Sequence, residues 1–142
     1  MKFVWVNGCI MQPMKILPDM VGYVVRDMAA TLRFYRLLGL PLAPELDNEA
    51  FAECITANGY RLSWNHIDMV KSFDPEFEMP KGSRVSVAFK CATPAEVNEA
   101  YHVLTTAGYA SHKAPWDAFW GQRYAQVLDP DGNIVDLFAY LT

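Results

Sequence analysis

Apolar positions along the chain recur with two periods, and the switches between them mark out the elements. After Thr93 and Pro94, the residues Val97, Ala100, Tyr101 and Leu104 fall at the i, i+3, i+4, i+7 spacing of one helix face. Thr93 can cap that helix, Pro94 suits its first position, and Glu96 completes a T-x-x-E capping box. Gly108 is placed to end it, so the spacing predicts a helix from about Pro94 to Ala107. An earlier segment follows the same plan. Asp27 can cap a helix that runs to about Leu38 and ends at Gly39, with Met28, Leu32, Tyr35 and Leu38 as its stripe, widened by Phe34 and Leu37.

Each helix is preceded by an apolar, β-branched run that reads as a strand: Val21 to Val25 before the first, Val85 to Phe89 before the second. Each is followed by shorter strand-like pieces joined by turns. Phe51–Thr56 and Tyr60–Trp64 flank Ala57-Asn58-Gly59, and Arg123–Leu128 and Ile134–Tyr140 flank Asp129-Pro130-Asp131-Gly132. Both turns hold a glycine where a positive φ is wanted. Equivalent landmarks in the two halves lie about 70 residues apart, the signature of an internal duplication. The chain therefore reads as two tandem βαβββ modules, residues 14–64 and 83–142. Residues 65–82 form a linker between them, and residues 1–13 an extension with no part in the core. A lone module of this size buries little surface, so the two should pair their sheets, within one chain or across a dimer.

Composition narrows the function more than the fold. The 142 residues are 52% hydrophobic and 20% charged, which excludes disordered and low-complexity classes. A net charge of −4 lacks the basic footprint of a nucleic-acid binder and mildly favours neutral or cationic partners. No apolar run is long enough to span a membrane, and residues 1–13 do not read as a signal peptide. Three cysteines, Cys9, Cys54 and Cys91, are odd in number and have no CxxC spacing, which fits a reduced, cytoplasmic protein.

Strand alternation then nominates surface chemistry. Val85, Val87 and Phe89 should face the helix, leaving Ser86 and Ala88 on the other side. In the last strand Val135, Leu137 and Ala139 should face the helix, leaving Ile134, Asp136 and Phe138 on the open face. Arg61 and Ser63 lie opposite Tyr60, Leu62 and Trp64. Asp136 stands out in so apolar a strand, because an unpaired buried carboxylate is costly. It is either at a wet rim, paired with an arginine, or in contact with a ligand. Trp116, Phe119 and Trp120 fall in a loop or irregular strand, where they cover the core, sit in a dimer interface, or form a stacking wall for a planar ligand. His66, His102 and His112 have no HxH or HxxxH spacing, and phosphate-loop, dinucleotide and GxSxG motifs are absent.

The words Val24-Val25-Arg26-Asp27 and Phe34-Tyr35-Arg36-Leu37-Leu38-Gly39-Leu40 combine with Trp120-Gly121-Gln122-Arg123-Tyr124 and Asp129-Pro130-Asp131-Gly132-Asn133-Ile134-Val135-Asp136-Leu137. Together with the duplicated plan, over about residues 14–142, they resemble the vicinal oxygen chelate superfamily of glyoxalases, bleomycin-resistance proteins and extradiol dioxygenases. The resemblance implies an α+β fold in which two βαβββ modules form a U-shaped mixed sheet around a cup, usually in a homodimer. It also implies four metal-ligand positions, which fall at Met20, Arg61, Ser86 and Asp136. Of these only Asp136 is a plausible ligand, and one carboxylate does not hold a catalytic metal. Arg61 would then stand roughly where the cation sits and pair with Asp136. The expectation is a cofactor-free, metal-free binding protein akin to the bleomycin- and mitomycin-resistance members. Its ligand, planar or cationic, would meet Arg61, Ser86, Trp116, Phe119, Trp120 and Asp136. The alternative is a divergent glyoxalase-, lyase- or dioxygenase-like enzyme using Asp136 as metal ligand or general base.

Overall fold

A computed structural model describes residues 4–6, 8–11, 16–83 and 85–142. A short antiparallel pair comes first, β1 (Val4–Val6) with β2 (Cys9–Met11). It falls within the 1–13 extension, whose other residues, apart from Gly8, lie outside the described ones. The first module follows as β3 (Val21–Val25), α1 (Met28–Leu37), β4 (Phe51–Ile55) and β5 (Arg61–His66). A seven-residue helix, α2 (Ile67–Phe73), opens the joining segment. The second module is β6 (Val87–Lys90), α3 (Pro94–Thr106), β7 (Ser111–Ala118), β8 (Gln122–Leu128) and β9 (Ile134–Tyr140).

The strands form two mixed sheets of matching plan. In the first the order is β3-β5-β4, in the second β6-β9-β8-β7. Each module's leading strand pairs in parallel with its last strand, β3 with β5 and β6 with β9, while the hairpins are antiparallel. This is the α+β, duplicated fold the sequence implies, with one inequality. Between α1 and β4 the chain makes a 3-10 turn at Pro44–Asn48, where the second module has β7. The first sheet therefore has three strands and the second four.

Local chemistry accounts for the element ends. The Asp27 side chain accepts from the Ala30 amide at 3.0 Å and caps α1. Thr93 Oγ1 accepts from the Glu96 amide at 3.2 Å while Glu96 Oε2 accepts from the Ala92 amide at 2.7 Å. The β4–β5 and β8–β9 turns hold Gly59 and Gly132 at φ 82° and 85°, which a side chain would resist. Val85 departs from its expected place: β6 starts at Val87, and Val85 is 64% exposed instead of facing the helix.

One core joins the modules. The helix-facing residues of the first sheet (Tyr23, Val25, Ala52, Leu62, Trp64) and of the second (Ala125, Val127, Val135, Leu137, Ala139) belong to a single buried cluster with Leu32, Val97 and Leu104 of the helices. Helix α1 is buried on two flanks. Tyr35 packs against Trp64 at 5.0 Å between ring centroids and against Phe89 of the other module at 6.4 Å, and Phe34 meets Tyr109 edge-on at 4.8 Å. The β8–β9 turn adds polar pins. Tyr35 Oη donates to Asp129 Oδ2 at 2.9 Å, Thr31 Oγ1 to Asp131 Oδ2 at 3.1 Å, and the Arg26 amide to Asp131 Oδ1 at 3.2 Å. Burial raises the Asp129 carboxyl above its usual value, although Asn133 and Tyr35 donors oppose the shift. The opposite face of each sheet points away from this core.

Candidate functional site

The open face of the second sheet is built by strand alternation. Register places Gln126 beside Asp136 and Ala88 in one row, and Tyr124 beside Phe138 and Lys90 in the next. Strand β7 adds Lys113 opposite Gln126 and Trp116 opposite Tyr124, across two breaks in register. The outcome is a continuous aromatic surface. Tyr124 stacks on Phe138 at 6.2 Å and 23°, and Trp116 tilts against Tyr124 at 5.4 Å. Trp120 meets Tyr124 edge-on at 5.5 Å, and Tyr140 meets Phe138 edge-on at 5.8 Å. Phe119 packs its ring against Trp120 and is 98% exposed at the β7–β8 turn.

Polar groups are few and set among these rings. Asp136 is 6% exposed, and its Oδ1 accepts from Gln126 Nε2 at 2.8 Å. Burial, reinforced by the Asp136 carboxylate, pushes the Tyr124 phenol up to about 12, so it remains a neutral donor near pH 7. Lys113 Nζ lies 3.9 Å from the Trp116 ring centre, and Lys90 Nζ 5.2 Å from that of Tyr140. Rigid aromatic planes with one carboxylate, one amide and one phenol suit stacking plus oriented hydrogen bonding.

The expected site residues divide. Trp116, Trp120 and Asp136 share this face, with Phe119 at its rim. Arg61 does not join them. It lies on the open face of the first sheet, where its guanidinium is held by Glu53, through Nε at 2.9 Å, and by Asp19. The expected Arg61–Asp136 pair is therefore not formed: carboxylates on a neighbouring strand and in the chain leading into β3 capture the arginine first. Ser86 is exposed just before β6, in a cleft of about 630 Å³ between β6 and the β4–β5 turn, lined also by Thr56, Asn58, Tyr60 and Leu38. Met20 precedes β3 and is 46% exposed.

The four family ligand positions do not fit a divalent cation. They offer a thioether, a guanidinium already held by two carboxylates, a hydroxyl and one carboxylate. Among the described residues no three His, Cys, Asp or Glu side chains converge. His66 is occupied in capping α2, its Nδ1 accepting from the Asp68 amide at 3.2 Å. Alternation from Asp136 already points to Phe138, and antiparallel pairing with β8 adds Tyr124 and Gln126, which a search for ligands and loop aromatics passes over.

Residues 17–137 match the family model of the Glyoxalase/Bleomycin resistance protein/Dioxygenase superfamily. The fold is similar to that of a glyoxalase/bleomycin resistance protein/dioxygenase family enzyme from Burkholderia phytofirmans PsJN, with a TM-score of 0.76 and 21% identity over 87% of this chain and 98% of that one. It is also similar to a glyoxalase/bleomycin resistance protein/dioxygenase from Nocardioides, with a TM-score of 0.70 and 24% identity over 91% and 87%. A glyoxalase-related enzyme from Fulvimarina pelagi gives a TM-score of 0.72 and 20% identity over 89% and 88%. No curated protein matches the sequence. Among the described residues no helix is long and apolar enough to cross a membrane.

Proposed function

We infer that this chain, which belongs to the Glyoxalase/Bleomycin resistance protein/Dioxygenase superfamily, is a binding protein that holds a small, partly aromatic molecule on the open face of its second sheet. The observation that carries the reading is the Trp116–Tyr124–Phe138 surface with the nearly buried Asp136 beside it. Tyr124 and Phe138 stack on the ligand with Trp116 and Trp120 as its wall, and Asp136 and Gln126 orient its polar groups. Resistance by sequestration, as in the bleomycin- and mitomycin-binding members, is the biological role that goes with it. Cytoplasmic residence goes with it too, Cys54 and Cys91 being free thiols. Planar molecules are expected to quench tryptophan fluorescence saturably, and a Trp116→Ala, Phe138→Ala double variant to lose at least about tenfold in affinity. Unchanged binding by a folded double variant overturns the assignment of the face.

A homodimer is part of this reading. The open faces turn away from the shared core, and β3 and β6 are both edge strands, so a second copy can roof the aromatic face into a cup. Light scattering should return twice the chain mass; a monomer that binds with full affinity removes the dimer from the proposal.

An enzymatic reading rests on Asp136 itself, a nearly buried carboxylate 2.8 Å from an amide donor and close to the Tyr124 phenol. As a general base it would take a proton from a bound carbon or oxygen acid. Asp136→Asn would then abolish turnover of a hemithioacetal or catechol and leave binding of the planar part intact. Equal loss of both favours the binding role.

A further inference from the structure

We propose that the molecule bound on this face is an aromatic anion, a planar ring system bearing a carboxylate, sulfonate or similar group. The proposal rests on the binding role argued above and specifies its ligand. Two ammonium groups frame the face. Lys113 stands on one edge strand, β7, and Lys90 on the other, β6, with β8 and β9 between them. Four strands span about 14 Å, room for a two- or three-ring system between the lysines.

Both ammonium groups stand over rings of the face, Lys113 Nζ 3.9 Å from the Trp116 centre and Lys90 Nζ 5.2 Å from that of Tyr140, about the height where a stacked ligand lies. Among the described residues neither has a carboxylate within ion-pair reach. Arg26, Arg36, Arg61 and Arg123 do, while Arg33, Lys71 and Lys81, also unpaired among the described residues, stand on α1, α2 and the joining segment and not on this sheet. Among the described residues of the face the one opposing charge is Asp136, which is nearly buried and accepts from Gln126. An anion stacked on Tyr124 and Phe138 therefore meets two unpaired cations at its ends. A cation meets the same two as repulsion, and two of the rings it would use for cation–π contact, Trp116 and Tyr140, are already covered. The chain's net charge of −4 acts from greater distance and is screened over about 8 Å at physiological salt, so the local pair governs.

Three probes of one shape test this: 2-naphthalenesulfonate, 2-naphthylmethanol and 2-naphthylmethylammonium, measured by equilibrium dialysis against the full chain at low and high salt. The sulfonate should bind about tenfold tighter than the ammonium, with the alcohol between them and the gap shrinking in salt. Lys90→Met and Lys113→Met, which keep the stem and remove the charge, should each weaken the sulfonate about threefold and leave the alcohol unchanged. Together they should erase the order. Equal binding of all three probes, or tighter binding of the ammonium, overturns the anion preference while the binding role stands. Survival of the sulfonate preference in the double variant also overturns it. Failure of all three to bind removes the binding role and this proposal together.

Discussion

Tyr35→Phe removes one oxygen atom from the junction between the modules and leaves the ring in place. Tyr35 is fully buried, its ring fixed between Tyr23, Trp64, Phe34 and Phe89. Its hydroxyl donates to Asp129 Oδ2 at 2.9 Å, and Asn133 supplies the other side-chain donor to that oxygen. A hydrogen bond to an ionised carboxylate contributes about 1.5–3 kcal/mol, and the apolar ring loses no packing, so about 2 kcal/mol of stability should go once Asp129 is ionised. For a chain of this length that is a fall of about 6 °C in Tm. The pH dependence is more diagnostic. Burial raises the folded Asp129 pKa above its usual 3.8, so this group's contribution is complete below that value and declines as pH rises through the folded pKa. The Tyr35 hydroxyl opposes the shift, and removing it moves the folded pKa higher still. The gap between wild type and Tyr35→Phe should therefore widen as pH rises from 4 and become flat only above the folded pKa of the variant. Urea unfolding followed by far-ultraviolet circular dichroism at pH 4, 5.5 and 7 measures it. A gap below about 0.5 kcal/mol at pH 7, or one that narrows with rising pH, refutes the assignment of this bond as a junction pin.

A Cβ at Gly22 would meet Ser63 Oγ at 3.0 Å and Asn65 Nδ2 at 3.2 Å. Gly22→Ala should cost about 1–2 kcal/mol, and adding Ser63→Ala should recover most of it; no recovery points to backbone strain instead. Ser63→Ala alone should be neutral or stabilising in chemical denaturation, because Ser63 Oγ is buried with no hydrogen-bond partner among the described residues. Thr93→Ala should cost about 1 kcal/mol through loss of the α3 cap, with Thr93→Ser restoring it. In absorbance titration at 295 nm, Tyr124→Phe should remove one of the phenols that ionise late, near pH 12, and Asp136→Asn should shift the Tyr124 phenol to lower pH.

What could be read from the chain was whatever neighbours in sequence decide. Asp27 and Thr93 cap because their amide partners lie three residues on, and Gly59 and Gly132 take positive φ because their turns are local. Alternation correctly buried Val135, Leu137 and Ala139 and turned Asp136 to the other face. Strand β7 was half visible, since Pro115 and two register breaks interrupt its period. Helix α2, seven residues capped by a histidine, carries too little pattern to stand out from a linker. The partner of Arg61 is hidden for a different reason. Its face was right, but which carboxylate it meets depends on where Asp19 and Glu53 are brought by the fold, and no spacing encodes that. Lys90 and Lys113 look like ordinary surface lysines until the sheet lays them over rings.

The pins from the β8–β9 turn to α1 have a consequence for the order in which the chain matures. Thr31 and Tyr35 reach partners at Asp131 and Asp129, roughly a hundred positions later, and α1 cannot bury its second flank before those partners exist. At about 5–20 residues per second, the ribosome exposes the first module for several seconds with Phe34 and Tyr35 still uncovered. Chaperones that hold nascent chains have their longest opportunity in that interval. The β8–β9 hairpin closes it when Asp129 and Asp131 reach the second flank of α1.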